Sequence, residues 1–166
     1  MGRRIERAIY FSSFLGNALH SGMADNPSAL ESVLEMADST ITYRSRYNLV
    51  PHIAAVFDLV MLDETNPRSL AFQFRQLSKH FDRLPGESTA VLSQARRILI
   101  ESSSRLTLAN PMELARSSGK PPVDTECAAA LRYVEQAMPK LSDALSITYF
   151  AHSALSRTGG TTGAEG

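Results

Sequence analysis

Seven charged side chains stand beside apolar stripes, at positions where they could take part in chemistry. They are Glu6, Arg7, Asp38, Arg44, Arg46, Asp63 and Arg68. An arginine guanidinium pairs with a carboxylate or a phosphate through two parallel hydrogen bonds, and a neighbouring carboxylate can act as a base. In one interpretation, these side chains therefore line a polar cleft that holds a carboxylate- or phosphate-bearing substrate.

The same side chains could instead form ion pairs that fix the register of neighbouring helices. If the first two predicted helices form an antiparallel hairpin, Glu6 lies within a turn of Arg44 and Arg46. If the chain then folds back near residue 50, Arg68 returns to the level of Asp38. Both interpretations stay open, and we favour the structural one because no nucleophile, metal-binding set or cofactor loop accompanies the arginines.

The usual catalytic signatures are absent from the sequence. It has no glycine-rich phosphate loop, no pair of histidines at helical spacing, and no cysteine and histidine set with zinc spacing. Its four histidines are scattered, and its single cysteine, Cys127, stands among small residues of a predicted helix. We therefore predict no metal and no cofactor, and we expect a non-catalytic domain rather than an enzyme.

The composition bears on the compartment of the protein and on its partners. Seventeen basic residues balance seventeen acidic ones, so the broad positive field that most nucleic-acid binders use is missing. No apolar run approaches the roughly 18 residues that a membrane-spanning helix needs. With one cysteine, no disulfide can form within the chain. We predict a cytoplasmic protein without a nucleic-acid or membrane partner.

Apolar residues at three- and four-residue spacings predict helices along nearly the whole chain. The predicted helices cover residues 2–21, 26–47, 51–60, 66–84 and 88–106, with a short turn at 111–116 and a last helical region at 124–155. Asn26 and Asn66 each precede a proline, which is typical of a capped helix start. Pro139 is expected to kink the last helical region or to split it in two.

These elements predict an all-α fold, a helical bundle of about six to seven helices. Because the length suits one core, we expect a single domain over residues 1–156. Residues 157–166 contain four glycines and no large apolar side chain, so we expect a disordered tail.

The charged residues also carry a resemblance to a known family. The chain resembles the alpha-E family of bacterial helical domains, which is named for a Glu-Arg motif near the start of its first helix; here the motif is Glu6-Arg7. The stretches 34–39, 42–47 and 62–70 are similar to family members in the order and spacing of several polar residues, and residues 147–150 more weakly so. The resemblance spans residues 2–150.

What the resemblance implies is a place in a peptide-forming or peptide-modifying system. The family is a domain of unknown function, found next to or fused with circularly permuted ATP-grasp proteins that resemble peptide or amide ligases, and near transglutaminase-like proteins. Its members usually carry two related halves, and this chain resembles the second. We therefore expect a fragment, or the C-terminal part of a larger protein.

Three hypotheses about function follow. The first is a non-catalytic helical accessory or interaction domain that works with an ATP-grasp amide ligase. The second is an enzyme or binding module with an arginine and carboxylate site for a carboxylate- or phosphate-bearing substrate. The third is a homo-oligomer, in which apolar helix faces that the other half would cover pair between copies.

Overall fold

The computed structural model describes residues 1–22, 26–47, 50–84, 93–116 and 122–155, with side chains of the last helix described as far as Ile147. These residues form eight α-helices and one π-helical turn, and none of them lies in a strand. The helices are α1 (Gly2–His20), α2 (Pro27–Met36), α3 (Thr40–Arg46), α4 (Ile53–Phe57), α5 (Leu70–Phe81), α6 (Gln94–Leu108), α7 (Met112–Arg116) and α8 (Glu126–Leu155). The π-helical turn, Asp58–Leu62, continues α4. The all-α prediction is confirmed.

Four long helices build the bundle. α1 packs against α8 and α5, and α6 packs against the same two helices, so that each helix has two neighbours in a closed ring. Their apolar stripes meet in one core, where Leu15, Phe74, Leu99 and Val134 are almost completely buried. Burial of large side chains of this kind stabilises each by about 1.5–3 kcal/mol relative to exposure.

The short helices form a second layer on this ring. α2 contacts α3 and α4, and α4 contacts α7. The π-helical turn carries Leu59, Val60 and Met61 into the core against α5 and α6. Three consecutive apolar side chains therefore lie inside, and so do most residues of α4, which means that this segment is buried on more than one side.

The region predicted as one helix over residues 26–47 is in fact two helices. α2 ends at Met36 and α3 begins at Thr40 because Asp38 adopts a positive φ of 47°, a conformation that cannot continue a right-handed helix. This break is one reason that the count is eight rather than six to seven. Asn26 does cap α2, since its side chain accepts the N–H groups of Ser28 and Ala29.

One further helix start differs from the prediction, and one of the two alternatives predicted for the last helical region, the split, is wrong. α5 begins at Leu70 with Ser69 as its cap, so that Asn66 and Pro67 lie in the preceding turn rather than in the helix. α8 runs through Pro139 without being split, and that proline is on the exposed side of the helix. Residues 88–92, where the fifth helix was expected to begin, and the tail 157–166 lie outside the described residues.

Candidate functional site

The first helix has two different faces. Its inner face buries Ile5, Ala8, Ser12 and Leu15 against the bundle. Its outer face carries Arg3, Glu6, Arg7, Tyr10, Phe11 and Phe14. These positions recur at three- and four-residue spacings, so they form a second stripe along the same helix.

This outer stripe forms one wall of a groove of about 530 Å³. Opposite residues come from the junction of α2 and α3 and from the turn before α5, namely Met36, Ala37, Asp38 and Arg68. Part of the groove is apolar: Phe11 and Phe14 stack with their ring centroids 6.1 Å apart, while Tyr10 and Met36 leave most of their surface open to solvent. The volume lies within the range of about 300–1,000 Å³ that is usual for small-molecule sites.

Asp38 reaches the groove from a Schellman turn at the end of α2. The N–H of Asp38 donates to the carbonyl of Glu35 at 2.9 Å, and the N–H of Ser39 donates to the carbonyl of Leu34 at 2.8 Å. This pattern requires a left-handed residue after the helix, which is most often glycine because glycine has no Cβ. An aspartate occupies the position here, and its carboxylate stands in the groove.

Arg68 is held in place by a tightly bonded turn. The buried Asn66 side chain donates to Ser39 Oγ at 3.1 Å and to the carbonyl of Leu59 at 3.0 Å, and it accepts the N–H of Arg68 at 3.1 Å. Ser69 Oγ donates to the carbonyl of Asp63 at 2.5 Å. The turn therefore ties the α2–α3 junction to the π-helical turn and positions Arg68 beside Asp38.

The predicted pair of Asp38 and Arg68 is confirmed. The guanidinium of Arg68 donates to the carboxylate of Asp38 at 2.5 Å. Both side chains are well exposed, at 74% for Asp38 and 48% for Arg68, so the pair contributes only about 0–1 kcal/mol to stability. It shapes the edge of the groove more than it stabilises the fold.

The predicted pair of Glu6 with Arg44 or Arg46 is wrong. Arg44 instead lies 3.8 Å from Glu31, and Arg46 pairs with Asp63 and donates to Thr65 Oγ1 at 3.2 Å. The first two helices do not form the antiparallel hairpin that was predicted, because α1 packs along α8 and α5 rather than along a continuous second helix.

Glu6 is exposed in the groove instead. Within the part of the chain that the structure describes, no hydrogen bond or ion pair is made by the side chain of Glu6, Arg3 or Arg7. Arg4, on the neighbouring flank of the helix, does have partners: it donates to Gln73 Oε1 at 3.0 Å and lies over the ring of Phe72.

Asp63 has a structural role away from the groove. Burial alone would raise the pKa of its carboxyl, but the hydrogen bonds from Thr65 and Arg46 outweigh that effect and hold the pKa below its usual value. Thr65 donates to this carboxylate through both its N–H, at 2.7 Å, and its hydroxyl, at 2.6 Å. Arg46 and Asp63 thus lock α3 to the turn before α5.

The seven charged residues therefore divide into two groups. Glu6, Arg7, Asp38 and Arg68 line one groove, whereas Arg44, Arg46 and Asp63 form ion pairs elsewhere. Sequence reasoning missed Arg3, Tyr10, Phe14 and Met36. The signal for the first three was the outer stripe of α1, which repeats at helical spacing but was passed over in favour of the inner stripe.

The described residues offer neither a metal-binding cluster nor an accessible cysteine. Among them, no group of three or more histidine, cysteine, aspartate or glutamate side chains is arranged to hold a metal ion. Cys127 is completely buried, and burial raises the pKa of its thiol to about 12, so that the reactive thiolate is not formed near neutral pH. In the same part of the chain, no helix is both long and apolar enough to cross a bilayer.

Comparison with known proteins gives relatives without an assigned activity. Uncharacterized proteins of Mycobacterium bovis and of two Mycobacterium tuberculosis strains are each 30% identical over 153 residues, which is 91% of this chain. The matched region is only 17% of the length of each of these relatives. No solved structure matches the chain.

The family comparison matches nearly the full length. The model that matches residues 1–150 is Alpha-E, described as a predicted alpha-helical domain with a conserved ER motif. The sequence contains a single Glu-Arg dipeptide, Glu6-Arg7, and it lies in the groove. The chain therefore belongs to the Alpha-E family of helical domains.

Proposed function

We propose that this domain is a non-catalytic binding module, and that its groove holds a ligand with a carboxylate or phosphate next to an apolar group. The observation that carries the proposal is the state of the Glu-Arg motif. Glu6 and Arg7 are exposed and lack partners among the described residues, and they line a groove with an apolar wall. A motif whose role was to lock helices together would be paired across a helix contact.

The charges in the groove favour an anion. Asp38 and Arg68 neutralise each other, which leaves Arg3, Glu6 and Arg7 with one net positive charge. Arg3 and Arg7 are four residues apart on one face, where like charges repel and destabilise a helix by about 0.2–0.5 kcal/mol. A carboxylate or phosphate between the two guanidinium groups removes this repulsion and forms charge-assisted hydrogen bonds.

The lining residues favour binding over nucleophilic chemistry. The groove wall as described contains no serine, threonine, cysteine, histidine or lysine, the side chains that most often act as nucleophiles. Glu6 is the one unpaired carboxylate among the described residues of that wall. The alternative of an enzyme is therefore less well supported than a binding module.

We also propose that the module serves a circularly permuted ATP-grasp amide ligase, with a transglutaminase-like protein as a second partner. Support comes from the family context that the resemblance implies. A groove that binds carboxylates also suits a ligase whose substrates are carboxylates. Copurification of a tagged domain with the ligase at micromolar concentration tests the partnership. Failure to copurify removes the partner and leaves the groove proposal standing.

Thermal unfolding with small ligands tests the groove itself. The ligands are N-acetylphenylalanine, phenyl phosphate and N-acetylphenylalanine amide, added to wild type, Arg7→Gln and Arg83→Gln. Arg83 is exposed at the end of α5 and does not line the groove, so its variant is a matched control for loss of charge. At tenfold excess over Kd, the two anionic ligands should raise Tm by about 3–6 °C.

The pattern across the variants decides the outcome. Wild type and Arg83→Gln should respond to both anions and not to the amide, and Arg7→Gln should respond to none. An equal response of Arg7→Gln and wild type would place the anion elsewhere, and no response to either anion would refute the proposed function.

A further inference from the structure

The groove is longer than a single amino acid. Along α1 it extends from Arg3 to Phe14, which is about 16 Å at 1.5 Å per residue. An extended polypeptide covers this distance with about five residues, since each spans about 3.3 Å. A lone carboxylate with one apolar group fills only one end.

The chemistry changes along this length. Arg3 and Arg7 lie at the end where α1 begins, and Tyr10, Phe11 and Phe14 follow toward the other end. Met36 adds a flexible apolar side chain that is 72% exposed. An occupant must therefore be anionic at one end and apolar further along.

We propose that the groove binds the C-terminal segment of an extended peptide of about five residues. The free α-carboxylate lies between Arg3 and Arg7, and apolar side chains contact Tyr10, Phe14 and Met36. This inference rests on the proposed function, because it uses the same groove and the same anion-binding end.

A fatty acid is also anionic at one end and apolar beyond. The carboxylate of Glu6 distinguishes a peptide from this alternative. Glu6 lies on the same stripe of α1 as the two arginines, and its carboxylate has no donor among the described residues. A hydrocarbon chain laid over Glu6 would strip water from the carboxylate without offering a hydrogen bond, which is unfavourable. A peptide offers backbone N–H groups, which can donate to this carboxylate.

Fluorescence anisotropy with labelled peptides tests the inference. The probe is Ala-Leu-Ala-Leu-Phe with fluorescein at its N-terminus, as the free acid and as the C-terminal amide. Shorter and longer members of the series, from Phe alone to seven residues, end in the same free Phe. We expect affinity to rise with length up to about five residues and then to level off. The amide should bind about tenfold more weakly or worse than the free acid, since it loses a charge-assisted contact.

Variants connect the length and end-group effects to named side chains. In Arg7→Gln the free acid and the amide should bind equally, while Arg83→Gln should keep the preference for the free acid. Glu6→Gln should bind better than Glu6→Ala, because glutamine keeps an oxygen that accepts the peptide N–H. All of these variants lie on exposed positions, and circular dichroism confirms that they remain folded.

The outcomes separate this inference from the proposed function. If N-acetylphenylalanine binds but longer peptides bind no better, the peptide inference fails and the proposed function stands. If laurate displaces the peptide and binds more tightly than any member of the series, the groove is a fatty-acid site and the inference is overturned. If neither the amino-acid derivative nor a peptide binds, both are refuted.

Discussion

Substitutions at Asp38 separate what the backbone needs at this position from what the carboxylate does in the groove. Asp38 has a φ of 47° and closes the turn after α2. The three informative variants are Asp38→Gly, Asp38→Ala and Asp38→Asn. Glycine and alanine both remove the ion pair with Arg68, so that the difference between them reports the backbone conformation alone.

The expected magnitudes follow from the geometry. A left-handed conformation costs an ordinary L-residue about 1–2 kcal/mol, and glycine avoids this but loses about 0.4–1 kcal/mol through the greater freedom of the unfolded chain. At the midpoints of these two ranges, Asp38→Gly should therefore be more stable than Asp38→Ala by about 0.8 kcal/mol. Asp38→Asn removes the charge but keeps a side chain that tolerates this conformation, so it should lie within about 1 kcal/mol of wild type.

Urea unfolding followed by circular dichroism measures these differences, with unchanged m-values as the check that only stability has changed. A difference of 1 kcal/mol corresponds to about 2–4 °C in Tm for a chain of this size. If alanine is as stable as glycine at this position, the left-handed conformation has no cost here. If wild type exceeds Asp38→Gly by more than about 1 kcal/mol, the carboxylate contributes to the stability of the fold, contrary to expectation.

Three other expectations concern the rest of the molecule. Asn66→Ala should lower the free energy of unfolding by about 2–4 kcal/mol, since it removes the buried amide bridge. Glu6→Gln should change it by less than about 0.5 kcal/mol. Similar losses for the two variants in urea titrations would contradict this difference between a structural and an exposed side chain. The Asp63 carboxyl has a lowered pKa, so its contribution is present above its ordinary pKa of about 4 and is lost as the pH falls through the folded value. Stability should decline more steeply with acid in wild type than in Asp63→Asn, and parallel pH profiles would exclude the effect. Cys127 should resist thiol reagents in the native protein and react fully in urea; rapid native labelling would show that the core opens around α8.

The long helices could be predicted because each has its own apolar stripe in the sequence. Inner stripes such as Ile5, Ala8 and Leu15 repeat at the helical period, and the observed α1 follows them. The break at Asp38 could not be predicted in the same way. The apolar stripe continues across it, and an aspartate rather than a glycine takes the left-handed position.

In the candidate site, only those residues that a short stretch of chain brings together could be predicted to be neighbours. Asp38 and Arg68 meet because the chain folds back through the π-helical turn, and that pair was anticipated. The partner of Glu6 was mistaken because the position of α1 depends on α8, which lies more than a hundred residues away in the sequence. Local periodicity does not specify such long-range packing, so it could not show that the Glu-Arg motif faces an open groove.

An NMR titration of ¹⁵N-labelled protein with the free-acid peptide Ala-Leu-Ala-Leu-Phe tests most directly whether the Glu-Arg motif is a binding surface. We expect shifts confined to the outer face of α1 from Arg3 to Phe14, to residues 36–38 and to Arg68, including the side-chain Nε of Arg3 and Arg7. Shifts centred on another surface, or none at saturating peptide, would contradict this expectation.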